Sequence, residues 1–277
     1  MQDLVGKEFR CLDKGFVRLV DVMGNDDSIV QAARVSYGTG TKKVHEDRGL
    51  IRYLMRHQHT TPFEMVEFKF HVKLPIFVAR QWIRHRTANV NEYSGRYSEM
   101  KDEFYTPDEQ QLRKQSVTNK QGRSEEGFDT NEAMDILSSF QQHADTSYAH
   151  YEALLEKGVA REIARIVLPV SNYTEWYWKV DLHNLFHFLR LRLDAHAQYE
   201  IRVYAEAMAE IVKAIVPVAY EAFEDYMLGS VKLSKVELQV LKTMLNGSVP
   251  SEITMEEIGL KKREQNEFLD KIRILLS

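Results

Sequence analysis

Cysteine is almost absent from this sequence of 277 residues, and its scarcity excludes several classes of protein. With Cys11 alone, one chain can form neither an intramolecular disulfide nor a zinc or iron–sulfur centre built from cysteines. No base stands beside Cys11 in the sequence, so we interpret it as a packed core residue and not as a nucleophile.

Long apolar runs and a strong charge of one sign are also missing. No stretch approaches the roughly 20 apolar residues of a membrane span, and no signal peptide is recognisable. The net charge of −4 gives no indication of nucleic-acid binding. We therefore expect a cytoplasmic protein that binds neither nucleic acid nor a membrane.

The composition that is present fits a globular chain with a substantial core, since 44% of the residues are hydrophobic and 28% are charged. Alternating apolar residues predict strands at 15–24, 66–74 and 174–180. In the last of these, the inward residues are Thr174, Trp176, Trp178 and Val180. Residues 107–128 are polar and predict a surface excursion or a mobile loop.

Helical periodicity and end signals predict most of the remaining elements. Asp26 or Asp27 would cap the first helix, Pro75 would open a short one, and Gly158 would end a long one. The expected helices are 27–34, 43–56, 76–83, 129–157, 182–193 and 195–227, the last bent near Pro217. We predict an α+β fold in which a small, mostly antiparallel sheet is flanked by long helices.

The chain changes character beyond Gly229. Ser234 and Glu237 match a capping box that opens one helix, which ends near Asn246, and a second helix covers about 260–276. Eight Lys or Arg residues nearly balance seven Asp or Glu residues between 229 and 277. We therefore predict one main domain at 1–228 and a helical extension of unknown role at 229–277.

The segment from Arg80 to Arg96 carries four arginines and a histidine against one carboxylate. Guanidinium groups present planar donor forks that suit phosphates and carbonyl edges. From Asn91 to Gly95 the sequence adds hydroxyl, amide and backbone N–H donors, and the glycine allows a ligand to approach closely. The segment predicts an anion site, with a solvated basic loop paired to neighbouring acids as the alternative.

Apolar residues inside this segment favour the anion site. Trp82, Ile83 and Val90 indicate that it packs into the body of the protein, where arginines need partners. No G-x-G-x-x-G, G-x-x-x-x-G-K-[ST] or H-E-x-x-H motif supports a Rossmann, P-loop or zincin interpretation. Ser94 lacks the preceding glycine of a nucleophile elbow, which argues against a serine hydrolase.

Arg84-His85-Arg86, followed after seven residues by Ser94, resembles the R-H-R-x7-S signature of the flavin-dependent thymidylate synthases. The longer string Asn91-Glu92-Tyr93-Ser94-Gly95-Arg96-Tyr97 fits the same family. The resemblance covers roughly residues 13–228. It implies that the domain at 1–228 is a catalytic flavin- and nucleotide-binding domain, whereas the extension at 229–277 lies outside the resemblance. Further matching segments are Ala33-Arg34-Val35-Ser36, Thr61-Pro62-Phe63-Glu64, Ala164-Arg165 and His196-Ala197-Gln198.

This resemblance implies the reductive methylation of dUMP to dTMP. The carbon donor would be 5,10-methylenetetrahydrofolate, and the hydride source would be FAD reduced by NADPH. It also implies a homotetramer whose subunits share FAD and nucleotide sites. Because the reduced flavin carries the difficult chemistry, the enzyme needs no nucleophile of its own, and Cys11 would be a bystander.

The resemblance also assigns site residues by position. A dianionic phosphate and a pyrophosphate need several cations, which the arginines supply. For Ser36 and Thr61, a capping or turn hydroxyl is the alternative. The implied dUMP ligands are Gln81, Arg84, Glu92, Ser94, Gly95, Arg96, Arg165 and Arg192. The implied FAD ligands are Ser36, His59, Thr61, Arg84, His85, Arg86, Glu92, Asp181, His183 and His187.

The predicted helix after Asp181 provides a separate argument for Arg192. Steps of about 100° per residue place Arg192 among Leu185, Phe188 and Leu189. An arginine in an apolar stripe is costly unless it meets an anion, a polar ligand or a core salt bridge. Arg192 also matches the arginine with which the family holds and ionises uracil, and would be the catalytic residue.

The opposite face of the same helix carries His183, His187, Arg190 and Asp194. Two functional faces on one helix would suit a site shared between subunits, each face serving a different active site. The two histidines could also be a metal pair with Asp194 as third ligand, but we expect no metal. The rival functions are another flavin or metal enzyme acting on a nucleotide, and a nucleic-acid-binding module built on Arg80–Arg96.

Overall fold

The computed structural model describes residues 3–35, 47–117, 119–245, 255 and 262–276. The chain divides into two compact units, Met1–Glu224 and Asp225–Ser277. The first unit combines an antiparallel sheet with helices, so the predicted α+β class is confirmed. None of the helices in the described part of the chain is both long and apolar enough to cross a bilayer.

Five strands form the main sheet, in the order β1-β2-β3-β7-β4, and every neighbouring pair is antiparallel. Two further strands, β5 and β6, pair only with each other. The predicted strands at 15–24, 66–74 and 174–180 are confirmed. The bounds are β1 Glu8–Cys11, β2 Gly15–Met23, β3 Glu67–Pro75, β4 Asn89–Glu92, β5 Arg113–Gln115, β6 Arg123–Gly127 and β7 Tyr173–Asp181.

Alternation along the strands decides which face of the sheet enters the core. In β3 the buried side chains are those of Phe68, Phe70, Val72 and Leu74, as the sequence predicts. Phe70 pairs with Trp178 of β7. The inward residues predicted for β7 are likewise buried, and helices cover this face.

Ten helices lie in the described part of the chain. The predicted helices at 27–34, 43–56, 76–83, 129–157 and 182–193 are confirmed in position, with ends shifted by a few residues, and positions 43–46 of the second lie outside the described residues. The bounds are α1 Asp26–Val35, α2 Asp47–Arg56, α3 Ile76–Trp82, α4 Thr130–Glu156, α5 Arg161–Ala164, α6 Leu182–Arg192, α7 Tyr199–Ile215, α8 Pro217–Phe223, α9 Lys235–Leu245 and α10 Lys262–Leu276.

The predicted cap of α1 is wrong. The side-chain oxygen of Asn25 accepts hydrogen bonds from the backbone N–H groups of Asp27 and Ser28. The Asp26 carboxylate instead accepts from the N–H groups of Val218 and Ala219 in the first turn of α8. The sequence could not show this, because the two partners of Asp26 are distant along the chain.

The single predicted helix at 195–227 is two helices and a π-helical turn. The segment before Tyr199 is a turn, and the backbone at Val216 leaves the helical region immediately before Pro217. Proline lacks the N–H that would continue the helix, so it starts α8 instead of bending one long helix.

The described residues 107–117 and 119–128 contain the exposed β5–β6 hairpin, so the surface excursion is confirmed in preference to the mobile loop, with two strands that the sequence did not predict. Arg123 of β6 forms an ion pair with the buried carboxylate of Glu200 at the start of α7. The Tyr105 hydroxyl donates to the same carboxylate over 3.0 Å, and the Gln198 amide donates over 2.9 Å. A buried carboxylate needs such donors, which fixes the base of the hairpin.

The second unit has a small core of its own, formed by Val240, Met255, Phe268 and Ile272. The capping box at the start of α9 is confirmed, since Ser234 N–H donates to Glu237 and Glu237 N–H donates back. The predicted end of this helix near Asn246 lies outside the described residues. The domain boundary at 228 stays a prediction, and the sequence indicates no role for the extension.

Cys11 lies in the core, as the sequence predicts, and is a free thiol. Burial raises the pKa of its thiol to about 12, so the thiolate is not populated at neutral pH. A buried thiol in this state is not a nucleophile.

We predict that Gly15→Ala destabilises the first unit. A Cβ at Gly15 would lie 2.1 Å from the Tyr204 hydroxyl and 2.7 Å from the Cys11 carbonyl oxygen. Overpacking of this kind costs about 1–3 kcal/mol. Thermal unfolding followed by circular dichroism should therefore give a lower midpoint for the variant.

Gly49→Ala is the matched control, because a Cβ at this exposed position of α2 meets nothing within 4 Å. Alanine is favoured over glycine in a helix, so this variant should equal or exceed the wild-type midpoint. Equal melting of the two variants would contradict the assigned contact at Gly15.

Candidate active site

The arginine-rich segment runs from the end of α3 along the edge of the sheet. Trp82, the last residue of α3, is fully buried, whereas Ile83 and Val90 are exposed. The prediction that the whole segment packs into the body is therefore wrong beyond Trp82. Arg84 and Arg86 lie between α3 and β4 and are exposed.

The strand β4 was missed in the sequence, where Asn91 to Glu92 was interpreted as part of a polar loop. It forms the edge of the sheet and pairs with β7, Asn89 opposite Lys179 and Glu92 opposite Trp176. The N–H of Tyr93 continues the pairing by donating to the Glu175 carbonyl over 2.8 Å. Part of the predicted set of free backbone donors is thus used by the sheet.

His85 and Arg192 are brought into direct contact although they are far apart along the chain. The Arg192 Nε donates to His85 Nε2 over 3.2 Å. The rings of His85 and His187 are 5.6 Å apart, and His85 also lies edge-on against Phe188 at 5.0 Å. We call His85, His187 and Arg192 the Arg192 cluster.

Burial dominates the electrostatics of this cluster. It lowers the pKa of His85 to about 4, and the positive charge of Arg192 and the neighbouring His187 act in the same direction. Burial also lowers the pKa of His187, followed by the charge of Arg190. His85 is therefore neutral at physiological pH, so Arg192 carries the positive charge of the cluster.

The two faces predicted for α6 both reach His85, and their assignment to different active sites stays a prediction. His187 belongs to one predicted face and Arg192 to the other, yet both contact His85. His85 projects between the two faces, which a helical wheel of α6 alone cannot show. Leu185, Phe188 and Leu189 are buried, as predicted, while Arg192 stays half-buried at the end of the helix.

Several buried polar atoms have no hydrogen-bond partner within the described residues, and two of them belong to the helices that carry the cluster. They are Oε1 of Gln81 in α3 and Nε of Arg190 in α6. Buried polar atoms are nearly always paired in folded proteins. Their presence fits a polar ligand that completes the site.

A tight turn follows β4, and we call residues Ser94–Ser98 the Ser94 turn. The Ser94 carbonyl accepts from the N–H groups of Tyr97 and Ser98, each over 3.1 Å. The Ser94 hydroxyl accepts from the Arg96 N–H over 3.3 Å. The turn is thus stabilised by Ser94 itself, through both its backbone and its side chain.

Gly95 is buried in the turn and brings it against Arg165. A Cβ at Gly95 would lie 2.7 Å from the Met100 sulfur and 3.2 Å from Cδ of Arg165. Only glycine fits there without displacing the arginine stem. The structure therefore joins Ser94, Gly95 and Arg165 in one place, as the assignment by resemblance requires.

Two partners of the site residues were not found from the sequence. Glu162 pairs with Arg96 over 3.2 Å between Oε2 and Nε. The buried Thr174 hydroxyl donates to Glu92 over 2.9 Å. Thr174 was identified only as an inward strand residue, and its alternation with two tryptophans gave no signal of a polar role.

His59 and Thr61 lie on a different part of the surface, where they line a cleft between α2 and the turn after it. We call this cleft the His59 cleft. This cleft, of about 860 Å³, is also lined by Val35, Leu54 and Met65. Tyr53 contributes an aromatic wall, with its ring 5.8 Å from that of His59. Such a cleft, apolar with aromatic rings at its rim, suits a flat heterocycle.

Of the remaining predicted flavin residues, the structure describes Asp181 and His183 but not Ser36. The Asp181 carboxylate caps α6 by accepting from the Asn184 N–H over 2.9 Å. α6 begins beside the His59 cleft, because the Leu182 N–H donates to the Val66 carbonyl over 2.8 Å. His183 is half-buried in this first turn, whereas Ser36 lies outside the described residues.

The charges of the site favour an anionic ligand. Arg84, Arg86 and Arg165 have no ion pair or side-chain hydrogen bond with any other residue in the described ranges. Within those ranges, no group of three or more His, Cys, Asp and Glu side chains is arranged to hold a metal ion. Uncompensated guanidinium groups stand on either side of the edge strand β4, Arg84 and Arg86 before it and Arg165 beside the turn after it, and such groups are donors suited to phosphate oxygens.

The comparisons with known proteins agree with this chemistry. A family model described as thymidylate synthase complementing protein matches residues 18–218. A protein of Wolbachia pipientis named flavin-dependent thymidylate synthase is 57% identical, over 95% of this chain and 91% of its own length. A protein of the same name from Ruegeria pomeroyi is 59% identical, over 94% of this chain and 86% of its own length.

A solved structure is similar over most of the first unit. The crystal structure of a UMP/dUMP methylase, PolB from Streptomyces cacaoi bound with 5-Br dUMP, superposes with a TM-score of 0.71 at 36% identity. The match covers 79% of this chain and 99% of that one. Taken together with the family model, this establishes that the chain belongs to the flavin-dependent thymidylate synthase family.

Proposed function

We propose that the Arg192 cluster and the Ser94 turn bind dUMP and prepare its ring for methylation. The chain catalyses the reductive methylation of dUMP to dTMP, as its family does. The carbon donor is 5,10-methylenetetrahydrofolate, and FAD reduced by NADPH supplies the hydride.

The observation that carries this assignment is the set of unpaired guanidinium groups. Arg84 precedes β4, and Arg165 lies against Gly95 beyond the other end of that strand. A nucleotide monophosphate is a dianion, and charge-assisted bonds from arginine forks are strong and directional. Arg165, Arg96 and the Ser94 turn would hold the phosphate, with Arg84, Gln81 and Glu92 towards the sugar and base.

The role proposed for Arg192 follows from its setting. Its guanidinium is half-buried, and its Nε is already bound to His85. The two Nη nitrogens have no hydrogen-bond partner among the described residues and can face a carbonyl edge. A fixed positive charge there stabilises the deprotonated pyrimidine, which makes its ring carbon nucleophilic.

The cofactor residues form a second proposal. His59 and Thr61 would hold FAD in the His59 cleft, and Asp181, His183 and His187 would hold it along α6; Ser36 lies outside the described residues and stays a prediction from the sequence. Arg84 and Glu92 would contact both ligands, and His85 and Arg86 would contact FAD, because they lie on the link between α3 and the edge strand or in that strand. The exposed arginines suit a pyrophosphate, and the apolar cleft suits a ring.

Neither candidate nucleophile of the chain is in a reactive setting. Cys11 is buried with a raised pKa, and the Ser94 hydroxyl already accepts from the Arg96 N–H. No imidazole contacts the Ser94 hydroxyl within the described residues. The chemistry therefore relies on the cofactor and on orientation by the arginines.

A homotetramer with shared active sites is a further proposal, supported by apolar side chains beside Arg165. Ile163, Ile166 and Val170 are 54%, 74% and 60% exposed. Apolar residues clustered beside functional arginines are typical of an interface that brings part of a site from another subunit. A cytoplasmic location stays a prediction from the sequence.

Arg192→Ala should strongly reduce dTMP formation, to a low but measurable rate, and leave FAD bound. Removing the charge that stabilises the ionised ring should lower turnover by at least about 100-fold. Tritium release from 5-labelled dUMP measures turnover, and the visible spectrum measures bound flavin. Arg10→Ala, an exposed arginine of β1, is the control and should behave as wild type. Retained turnover in Arg192→Ala would refute the assigned role.

Ser94→Ala should weaken dUMP binding and keep turnover. The change removes one hydrogen bond of the turn, so KM for dUMP should rise roughly 10-fold while kcat changes little. Ser139→Ala on the exposed face of α4 is the control. A complete loss of kcat with dUMP still bound would instead identify Ser94 as a nucleophile.

Ile166→Asp should reduce the oligomer to fewer than four chains. A carboxylate at an interface core costs its desolvation without gaining a partner. Light scattering after size exclusion measures the assembly directly. Val117→Asp, at an even more exposed apolar residue of the β5–β6 hairpin, should leave the assembly intact. An unchanged mass for Ile166→Asp would remove this surface from the proposed interface.

A further inference from the structure

The position of the His85 ring is set by the aromatic core. The His85 N–H donates to the Trp82 carbonyl over 2.9 Å, which closes a turn directly after α3. Trp82 is fully buried and stacks on Phe188, and the edge of His85 contacts the same Phe188 at 5.0 Å. The imidazole is thus held from two sides before any ligand binds.

The hydrogen bond to Arg192 determines which nitrogen of His85 carries the proton. A guanidinium has donors only, so His85 Nε2 must be the acceptor in the 3.2 Å contact with Arg192 Nε. A neutral imidazole has one N–H, which is therefore on Nδ1. His85 is fixed as the Nδ1–H tautomer as long as Arg192 is in contact.

The surroundings keep the imidazole from gaining a second proton. The groups that face His85 are Arg192 and His187, with Arg190 next to His187. None of these groups is a carboxylate that would stabilise a protonated imidazole. Burial, together with the charge of Arg192, lowers the pKa of His85 to about 4. Across the physiological range, His85 Nε2 stays available as an acceptor.

We propose that His85 is a positioning residue that orients Arg192 for pyrimidine ionisation. By binding Nε, it holds the plane of the guanidinium and directs the two Nη nitrogens away from the core as a fork. A flexible arginine would lose this orientation, and with it part of the stabilisation of the charged ring. This inference rests on the proposed function of Arg192, while the contact itself can be tested without turnover.

The contact is tested in the FAD-loaded wild-type enzyme by nitrogen-15 NMR of its histidine side chains. We expect His85 to show a protonated Nδ1 and a bare Nε2 at neutral pH. In Arg192→Ala this tautomer should lose its dominance, whereas the exposed His143 of α4 should be the same in both proteins. A protonated Nε2 at His85 in the wild type would overturn the inference without affecting the proposed function.

The functional consequence is tested by two substitutions at His85 and a double variant. His85→Leu removes the acceptor and should lower kcat for tritium release roughly 10- to 100-fold, with a smaller change in KM for dUMP. His85→Gln keeps an acceptor oxygen and should recover part of the loss. At saturating FAD, where a weaker flavin contact of His85 does not limit the rate, the double variant His85→Leu/Arg192→Ala should be no slower than Arg192→Ala alone, because the positioning role of His85 acts through Arg192.

Additive losses in the double variant would overturn the positioning role, since they would show that His85 acts independently of Arg192. Full activity of Arg192→Ala, with the expected tautomer of His85 in the wild type, would instead refute the proposed function and leave the contact standing. The NMR measurement on the wild type needs no substitution at His85. A failure of His85→Leu to fold therefore leaves the inference testable.

Discussion

The site depends on the stacking of Trp82 on Phe188, whose ring centroids are 4.6 Å apart. Trp178 of β7 lies 5.3 Å from Trp82 and 5.4 Å from Phe188, so α3, α6 and the sheet meet at this contact. His85 follows Trp82 by one short turn, and Arg192 follows Phe188 by one helical turn. Packing of two large rings in the core therefore places the two polar side chains together.

The arginines around β4 differ from Arg192 because they are surrounded by water and not by the packed core. Arg84, Arg86 and Arg165 are exposed, so water compensates their charges in the free protein. A bound nucleotide replaces that water with phosphate oxygens, which gain more from bidentate donors. In the proposed function, the fold thus separates a half-buried arginine that would act on the ring from exposed, solvated arginines that would bind the anion.

Most of the fold could be predicted from periodicity. Alternation in 66–74 and 174–180 identified the central strands, and the capping box at Ser234 is as its sequence indicates. The strand β4 and the β5–β6 hairpin could not be predicted. Their residues are exposed on both faces, and backbone pairing without burial leaves no apolar pattern to detect.

The sequence by itself determined the family, the residue types of the site and the absence of a usable cysteine nucleophile. It also singled out Arg192, because an arginine in an apolar stripe needs a partner. Only the tertiary structure decided that this partner is His85, and that His187 joins them across the supposed faces of α6. Residues far apart along the chain meet only through packing of the core, and local periodicity carries no information about that.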